Sequence, residues 1–213
     1  MKEKSYKPII VLDAGRVLVD IDPDSVLRDL SRRSGREIGM PPPDDLDTML
    51  QPLYVGKRSW LEILETINQA LGLSQKGDEW REIWCSIITG EVPGMMRALA
   101  ELKEEFKFVA LSNTDEVHWN YALGKYPIFQ LLDGWVVSFE EGMMKPDPAI
   151  YARVVDRYCE NRLPFFYTDD NLRYVEAAQR QGWDAEVFID AAHFKEHVMR
   201  RRGSYLHATE VIK

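Results

Sequence analysis

Cysteine is scarce in this chain. The 213 residues include two, Cys85 and Cys159, far apart in sequence. Such a pair builds no disulfide framework and has no metal-ligand spacing, and it suits a reducing compartment. Positive charge is also short. Lys and Arg number 27 against 35 Asp and Glu, a formal net charge of −8. That balance is wrong for coating nucleic acid or an anionic membrane, both of which need a basic surface. No apolar run approaches the ~20 residues of a membrane span. The stretch Met1–Ile10 is too lysine-rich and polar for a secretory signal, so a cytoplasmic location is expected. Internal repeats and low-complexity segments are absent as well.

What remains is an ordinary globular composition, 45% hydrophobic and 29% charged, with length for one or two domains. Two textures alternate along the chain. The first is a set of short β-branched or aromatic runs, each ending in polar residues or near a glycine: Pro8–Leu12, Phe106–Leu111, Trp135–Phe139, Phe165–Thr168 and Ala185–Ile189. Near-continuous apolar runs of this length predict strands buried on both faces of a parallel sheet. Helical periodicity over Met95–Leu102, Asp115–Lys125, Ala149–Tyr158 and Leu172–Gln181 lies between or after them. Alternating strands and helices predict an α/β fold with a doubly wound parallel sheet, whose ligands sit beyond the carboxyl ends of the strands.

The second texture, residues 20–90, has no convincing strand. Apolar residues recur there at helical spacing in four groups, around Val26–Leu30, Leu46–Leu53, Leu61–Leu71 and Trp80–Ile87. Ser59 with Glu62 three residues on predicts a capped helix start. The stretch Gly39–Pro43 predicts a rigid loop. The expected organisation is therefore a core of residues 1–19 and 91–213 and an α-helical cap, 20–90, inserted after the first strand. The alternative is a packed helical module without a catalytic role.

Polar residues at the strand ends converge in this topology. Asp13 closes the first strand and Asp169–Asp170–Asn171 the fourth. Carboxylates brought together there repel unless a cation joins them, and hard oxygen ligands suit Mg²⁺. A carboxylate beside that metal can attack phosphorus. Lys145 precedes Pro146–Asp147–Pro148, with Asp147 a candidate helix cap and Pro148 the first helical residue. Ser112 and Asn113 offer a hydroxyl and backbone N–H groups. Together these make a cradle for phosphoryl charge. Taken singly, each is as easily a turn or a cap.

Asp13–Ala–Gly–Arg–Val–Leu–Val–Asp–Ile–Asp, Leu111–Ser–Asn–Thr–Asp, Gly142–Met–Met–Lys–Pro–Asp–Pro–Ala–Ile–Tyr and Tyr167–Thr–Asp–Asp–Asn resemble the four motifs of the haloacid dehalogenase-like hydrolases, in order and spacing. The resemblance covers Ile9 to about Asp190. Within that family the pattern is similar to the α-glucose-1-phosphate phosphatase group. It implies a Rossmann-like core with a helical cap, Mg²⁺ as cofactor and a small phosphorylated metabolite as substrate. It also implies roles: Asp13 as the nucleophile, and Asp13, the Gly15 carbonyl and Asp169 as metal ligands. Asp170 would orient metal-bound water, Ser112 and the Asn113 backbone would bind the phosphoryl oxygens, and Lys145 would neutralise charge between nucleophile and phosphate.

One position departs from the family pattern. Most phosphatases of this kind carry a second aspartate two residues after the nucleophile, as general acid and base; here that position is Gly15. A positioned acid–base group typically contributes ~10²–10⁴-fold. The departure implies a slow enzyme, a substrate whose leaving oxygen departs easily, or a replacement group. Asp20 and Asp22 could approach, against their simpler reading as turn and cap carboxylates. Arg16 is unusual beside them, and either pairs with a neighbouring carboxylate or faces the substrate.

Other candidates carry simpler readings too. His193 and His197 are four apart, as a metal pair requires, but with no third ligand near in sequence they read as part of an exposed terminal helix. Arg200–Arg202 reads as a solvated or fraying end. Trp60, Trp80 and Trp84 read as core, or as an inner cap face that stacks on a sugar. His118 and Trp119 follow the second motif closely enough to border the pocket. The expected function is a Mg²⁺-dependent phosphomonoesterase, as monomer or homodimer, working through an aspartyl phosphate. The alternatives are a metal-independent dehalogenase, which the Gly15 motif disfavours, and a catalytically weak binding or regulatory module.

Overall fold

The five apolar runs form one parallel sheet in the computed structural model, which describes residues 7–39, 43–74, 76–160 and 162–210. Met1–Tyr6 of the polar start and Met40–Pro42 of the proline loop lie outside the described residues. In chain order the elements are β1 (Ile9–Leu12), β2 (Val19–Ile21), α1 (Pro23–Ser34), α2 (Pro43–Tyr54), α3 (Trp60–Leu71), α4 (Gly77–Cys85), β3 (Ile88–Glu91), α5 (Met95–Leu102), β4 (Lys107–Ser112), α6 (Glu116–Lys125), a 3₁₀ turn (Pro127–Leu131), β5 (Gly134–Val137), α7 (Ser138–Glu141), α8 (Pro148–Tyr158), β6 (Phe166–Asp169), α9 (Leu172–Arg180), β7 (Ala185–Val187) and α10 (Ala191–Glu210).

The sheet order is β5-β4-β1-β6-β7, all parallel. Side chains alternate across a strand, so each run feeds two cores. Ile10, Leu12, Phe108 and Ala110 enter one apolar cluster. Ile9, Val11, Val109 and Leu111 enter the other, on the opposite face. Every residue of β1 is buried, which is why the run reads as continuously apolar. Leu12 stands in register with Ala110 of β4 and Thr168 of β6. Asp13, Ser112 and Asp169 therefore arrive at one edge from three neighbouring strands. The apolar run Trp135–Phe139 is shorter as a strand than its composition predicts. Its last two residues turn into α7, where the Ser138 hydroxyl accepts from Thr114 N at 2.9 Å and donates to Thr114 O at 3.0 Å.

Helices α1–α4 pack round a third apolar cluster that includes Leu30, Leu53, Ile63, Trp80 and Trp84. The Ser59–Glu62 capping box is present: Ser59 N–H donates to Glu62 Oε2 at 2.7 Å and Glu62 N–H to Ser59 Oγ at 3.4 Å. Trp80 is core, its indole N–H on Asn68 Oδ1 at 3.0 Å. Trp60 packs against the same cluster. The expectation of no strand in residues 20–90 is corrected. β2 and β3 form an antiparallel ribbon at the two ends of the helical segment, with Asp20 opposite Gly90 and Ile21 opposite Ile88. Its strands are three and four residues long and mix apolar with polar side chains, so neither shows the continuous run that marks a buried strand.

Both cysteines are buried and free. Burial pushes each thiol up to about 11, so they are inert packing residues. No helix among the described residues is long and apolar enough to cross a membrane.

The helical segment touches the sheet domain at Gly56, in the turn after α2. Its φ is +65°, and a Cβ there would stand 2.3 Å from the Phe139 carbonyl oxygen of α7. Gly56→Ala combines a left-handed penalty of roughly 1–2 kcal/mol with a backbone overlap. It is expected to lower the urea unfolding midpoint by at least that equivalent.

Candidate active site

Lys145 organises the strand-end edge. Its side chain is 1% exposed, and Nζ lies 2.9 Å from Asp13 Oδ1 and 2.6 Å from Asp169 Oδ2. The Tyr167 hydroxyl also donates to Asp169 Oδ2. The Tyr174 ring lies under the ammonium, its centroid 4.9 Å from Nζ. Asp169 Oδ1 accepts the Asn171 N–H at 2.8 Å, and Asp13 N–H donates to Thr168 O at 3.0 Å. Burial works against the ammonium, but the Asp13 and Asp169 charges outweigh it and hold its pKa above the ordinary value. Burial pushes the Asp13 carboxyl up to about 7; Lys145 opposes the rise and the Asp169 charge adds to it. Asp170 is raised as well, by burial and then by Asp169, while Arg16 opposes.

Local sequence explains how Lys145 is presented. Asp147 caps α8 through Ala149 N–H at 2.9 Å, with Pro148 at the first helical position, as the sequence predicts. Asn113 binds the Lys145 main chain on both sides: its Oδ1 accepts Lys145 N–H at 2.8 Å and its Nδ2 donates to Lys145 O at 2.9 Å. The side chain of Asn113 thus holds the lysine's backbone. Asn171 caps α9 through Arg173 N–H at 3.0 Å.

Asp13, Asp169 and Asp170 each present a ligand atom, all within 4.8 Å of one another. The donor set is all carboxylate oxygen, two members are almost fully buried, and Lys145 with the exposed Arg16 supplies two positive charges against three carboxylates. That chemistry fits a hard divalent cation. Gly15 lines the same cavity of about 540 Å³, together with Ser112, Asn113, Lys145 and Asp170. A Cβ on Gly15 would stand 2.5 Å from Ile21 Cδ1, so any side chain there must displace Ile21. Arg16 adopts a left-handed φ of 57° and pairs with Asp170 Oδ2 at 3.4 Å. Both of its readings are met: it pairs with a neighbouring carboxylate, and it lines the cavity. Asp22 caps α1 through Asp24 N–H at 3.1 Å and pairs with Arg28. Asp20 is exposed in β2.

A family model described as haloacid dehalogenase-like hydrolase matches residues 8–182. The chain belongs to the haloacid dehalogenase-like hydrolases. Solved structures share the fold at low identity. A HAD family enzyme from Bacteroides thetaiotaomicron, in complex with magnesium and inorganic phosphate, superposes with a TM-score of 0.73 at 19% identity, covering 87% of this chain and 96% of that one. A protein of Thermotoga maritima assigned as a β-phosphoglucomutase gives 0.63 at 18% identity, over 91% and 99%. An L-2-haloacid dehalogenase gives 0.60 at 17% identity, over 87% and 86%.

Residues that motif spacing did not single out complete this candidate site. Tyr167 precedes Asp169 by two in β6, so the period-2 rule puts both on one face, a signal present in the sequence. Gln51 and Tyr54 of α2 reach the cavity from the helical segment. His118 and Trp119 border it, as expected. Trp84 is core, and its indole N–H donates to Asp115 Oδ2 at 3.2 Å. Asp115 is fully buried, caps α6 through Val117 and His118 N–H, and pairs with His118 Nδ1 at 2.7 Å. Burial alone would raise the Asp115 carboxyl, but His118 and these hydrogen bonds outweigh it and lower its pKa.

Removing one partner of a buried ion pair costs roughly 3–5 kcal/mol. Lys145→Met in chelator is expected to lose unfolding free energy in that range, read by urea denaturation. Asp115 has a folded pKa below its unfolded 3.8. Its contribution is present above that value and lost as pH falls through the folded pKa. Asp115→Asn is therefore expected to be less stable than wild type near neutrality, with the gap closing below about pH 4 in pH-dependent melting.

Proposed function

We propose that this hydrolase cleaves the phosphomonoester of a small phosphorylated metabolite, with Mg²⁺ and through an aspartyl phosphate on Asp13. The observation that carries the reading is the Lys145 ammonium bridging Asp13 and Asp169, with Asp170 alongside. Mg²⁺, held by Asp13, Asp169, the Gly15 carbonyl and through Asp170, would supply charge neutralisation for phosphorus attack. A magnesium and phosphate complex of a structural neighbour supports the choice of ion. Asp13 attacks phosphorus; an O–P bond forms at its carboxylate and the bond to the leaving oxygen breaks. Water then attacks the same phosphorus and returns the carboxylate and inorganic phosphate. Ser112 and the Asn113 N–H donate to the phosphoryl oxygens, and Lys145 screens Asp13 from their negative charge.

No acid stands at position 15, so the leaving oxygen departs without a proton from that side. Substrates that tolerate this have a stabilised leaving group, such as an anomeric or acyl phosphate. A sugar phosphate is the first candidate, in line with the α-glucose-1-phosphate phosphatase-like motifs. Residues 20–90 act as the substrate-selecting cap, with Gln51 and Tyr54 as its reach into the cavity.

Asp13→Asn is expected to lower phosphate release by roughly 10⁴-fold or more with the fold intact by circular dichroism. EDTA should abolish wild-type turnover and Mg²⁺ restore it. The assay is a panel of sugar phosphates, acyl phosphates and p-nitrophenyl phosphate. Halide release insensitive to EDTA would assign the dehalogenase reading instead. Ligand binding without phosphate release would assign the binding module.

A further inference from the structure

The C-terminal helix and the edge strand β7 bring together three metal-ligating side chains that the catalytic site does not use. His193 and His197 project from one face of α10, their ring centroids 3.8 Å apart. Glu186 of β7 supplies the third ligand that the sequence neighbourhood lacks. One ligand atom of each lies within 4.8 Å of the others, and all three side chains are partly buried. Their backbones are anchored. Glu186 O accepts the Thr168 hydroxyl at 3.1 Å, and the His193 N–H donates to Asp190 Oδ1 at 2.8 Å in the first turn of α10.

The two oxygens of Glu186 have separate partners. Oε1 accepts Arg201 Nη2 at 2.5 Å, and Oε2 meets His197 Nδ1. Arg201 also grips Asp184, through Nε at 2.6 Å and Nη2 at 2.9 Å. Arg202 pairs with Glu105 at 2.6 Å; of the run read as a solvated or fraying end, Arg201 and Arg202 are tied down and Arg200 is solvated. Arg200 lies 3.7 Å from Glu186 Oε1 and 3.4 Å from His197 Nδ1, and at 61% exposure its guanidinium can turn to solvent. This ion-pair network accounts for His197. It does not account for His193, whose ring makes no hydrogen bond among the described residues yet lies against the His197 ring. An imidazole ring nitrogen offers a lone pair, and the two rings stand close enough to offer theirs to one shared ion.

We propose that Glu186, His193 and His197 form a second cation site, selective for a borderline transition ion such as Zn²⁺. Two imidazole nitrogens and one carboxylate oxygen match that class, and the all-oxygen cluster at Asp13 does not. Arg201 holds the spare oxygen of Glu186 and so orients the ligand. The bound ion clips α10 to β7 and stabilises the folded chain by mass action.

The test uses the full chain, stripped with chelator and kept in millimolar Mg²⁺ to fill the oxygen cluster. Co²⁺ is titrated with visible absorption as readout, and Zn²⁺ by calorimetry and melting temperature. Wild type is expected to bind one equivalent and melt higher. His193→Ala is expected to bind at least about 10-fold more weakly while melting like wild type when metal-free, since it takes no part in the ion pairs. Asp13→Asn should keep the Co²⁺ spectrum. Equal Zn²⁺ affinity in wild type and His193→Ala, loss of the Co²⁺ signal in Asp13→Asn, or no binding below millimolar metal would each overturn the site.

Discussion

A buried ammonium held between two buried carboxylates is the constraint on which the rest depends. Removing charges from water is costly, and the expense is offset only when partners stand at hydrogen-bond distance with their remaining lone pairs satisfied. Lys145 meets that condition with Asp13 and Asp169, but the two carboxylates come from different strands and the lysine from a loop. Only a parallel sheet in one register puts all three within reach. The pairing of Leu12 with both Ala110 and Thr168 is thus an electrostatic requirement as well as a packing result.

The same cluster explains why the supporting residues are what they are. Asn113 clamps the main chain that presents the lysine. Tyr167 and Asn171 satisfy Asp169 from either side. Burial pushes these carboxyls toward the neutral form, and at Asp13 the Lys145 ammonium opposes that push. A hard cation among the three aspartates would relieve the same imbalance.

The sheet was legible in the sequence because its strands are apolar on both faces, a pattern visible without any partner. Helix starts at Ser59 and Asp147 were legible because capping is local chemistry. The β2–β3 ribbon was not, since each strand is short and its partner lies about 70 residues away. Trp135–Phe139 overran its strand because Ser138 bonds Thr114 across the fold. Distance in sequence likewise hid the clamp by Asn113 and the pairing of Arg201 with Asp184 and Glu186. Glycine at position 15 was legible, but its neighbour Ile21 was not, because the loop that brings them together closes through Arg16 N–H on Val19 O.

The chain leaves and re-enters the sheet domain through adjacent positions of the β2–β3 ribbon, where paired strands run about 5 Å apart. Whatever lies between those two exits is grafted onto a doorway of fixed width. Helices there can be lengthened, lost or exchanged over evolutionary time without altering a single register of the parallel sheet. On the proposed reading, substrate choice would be free to change on one side of that doorway while Asp13, Lys145 and Asp169 keep their places on the other.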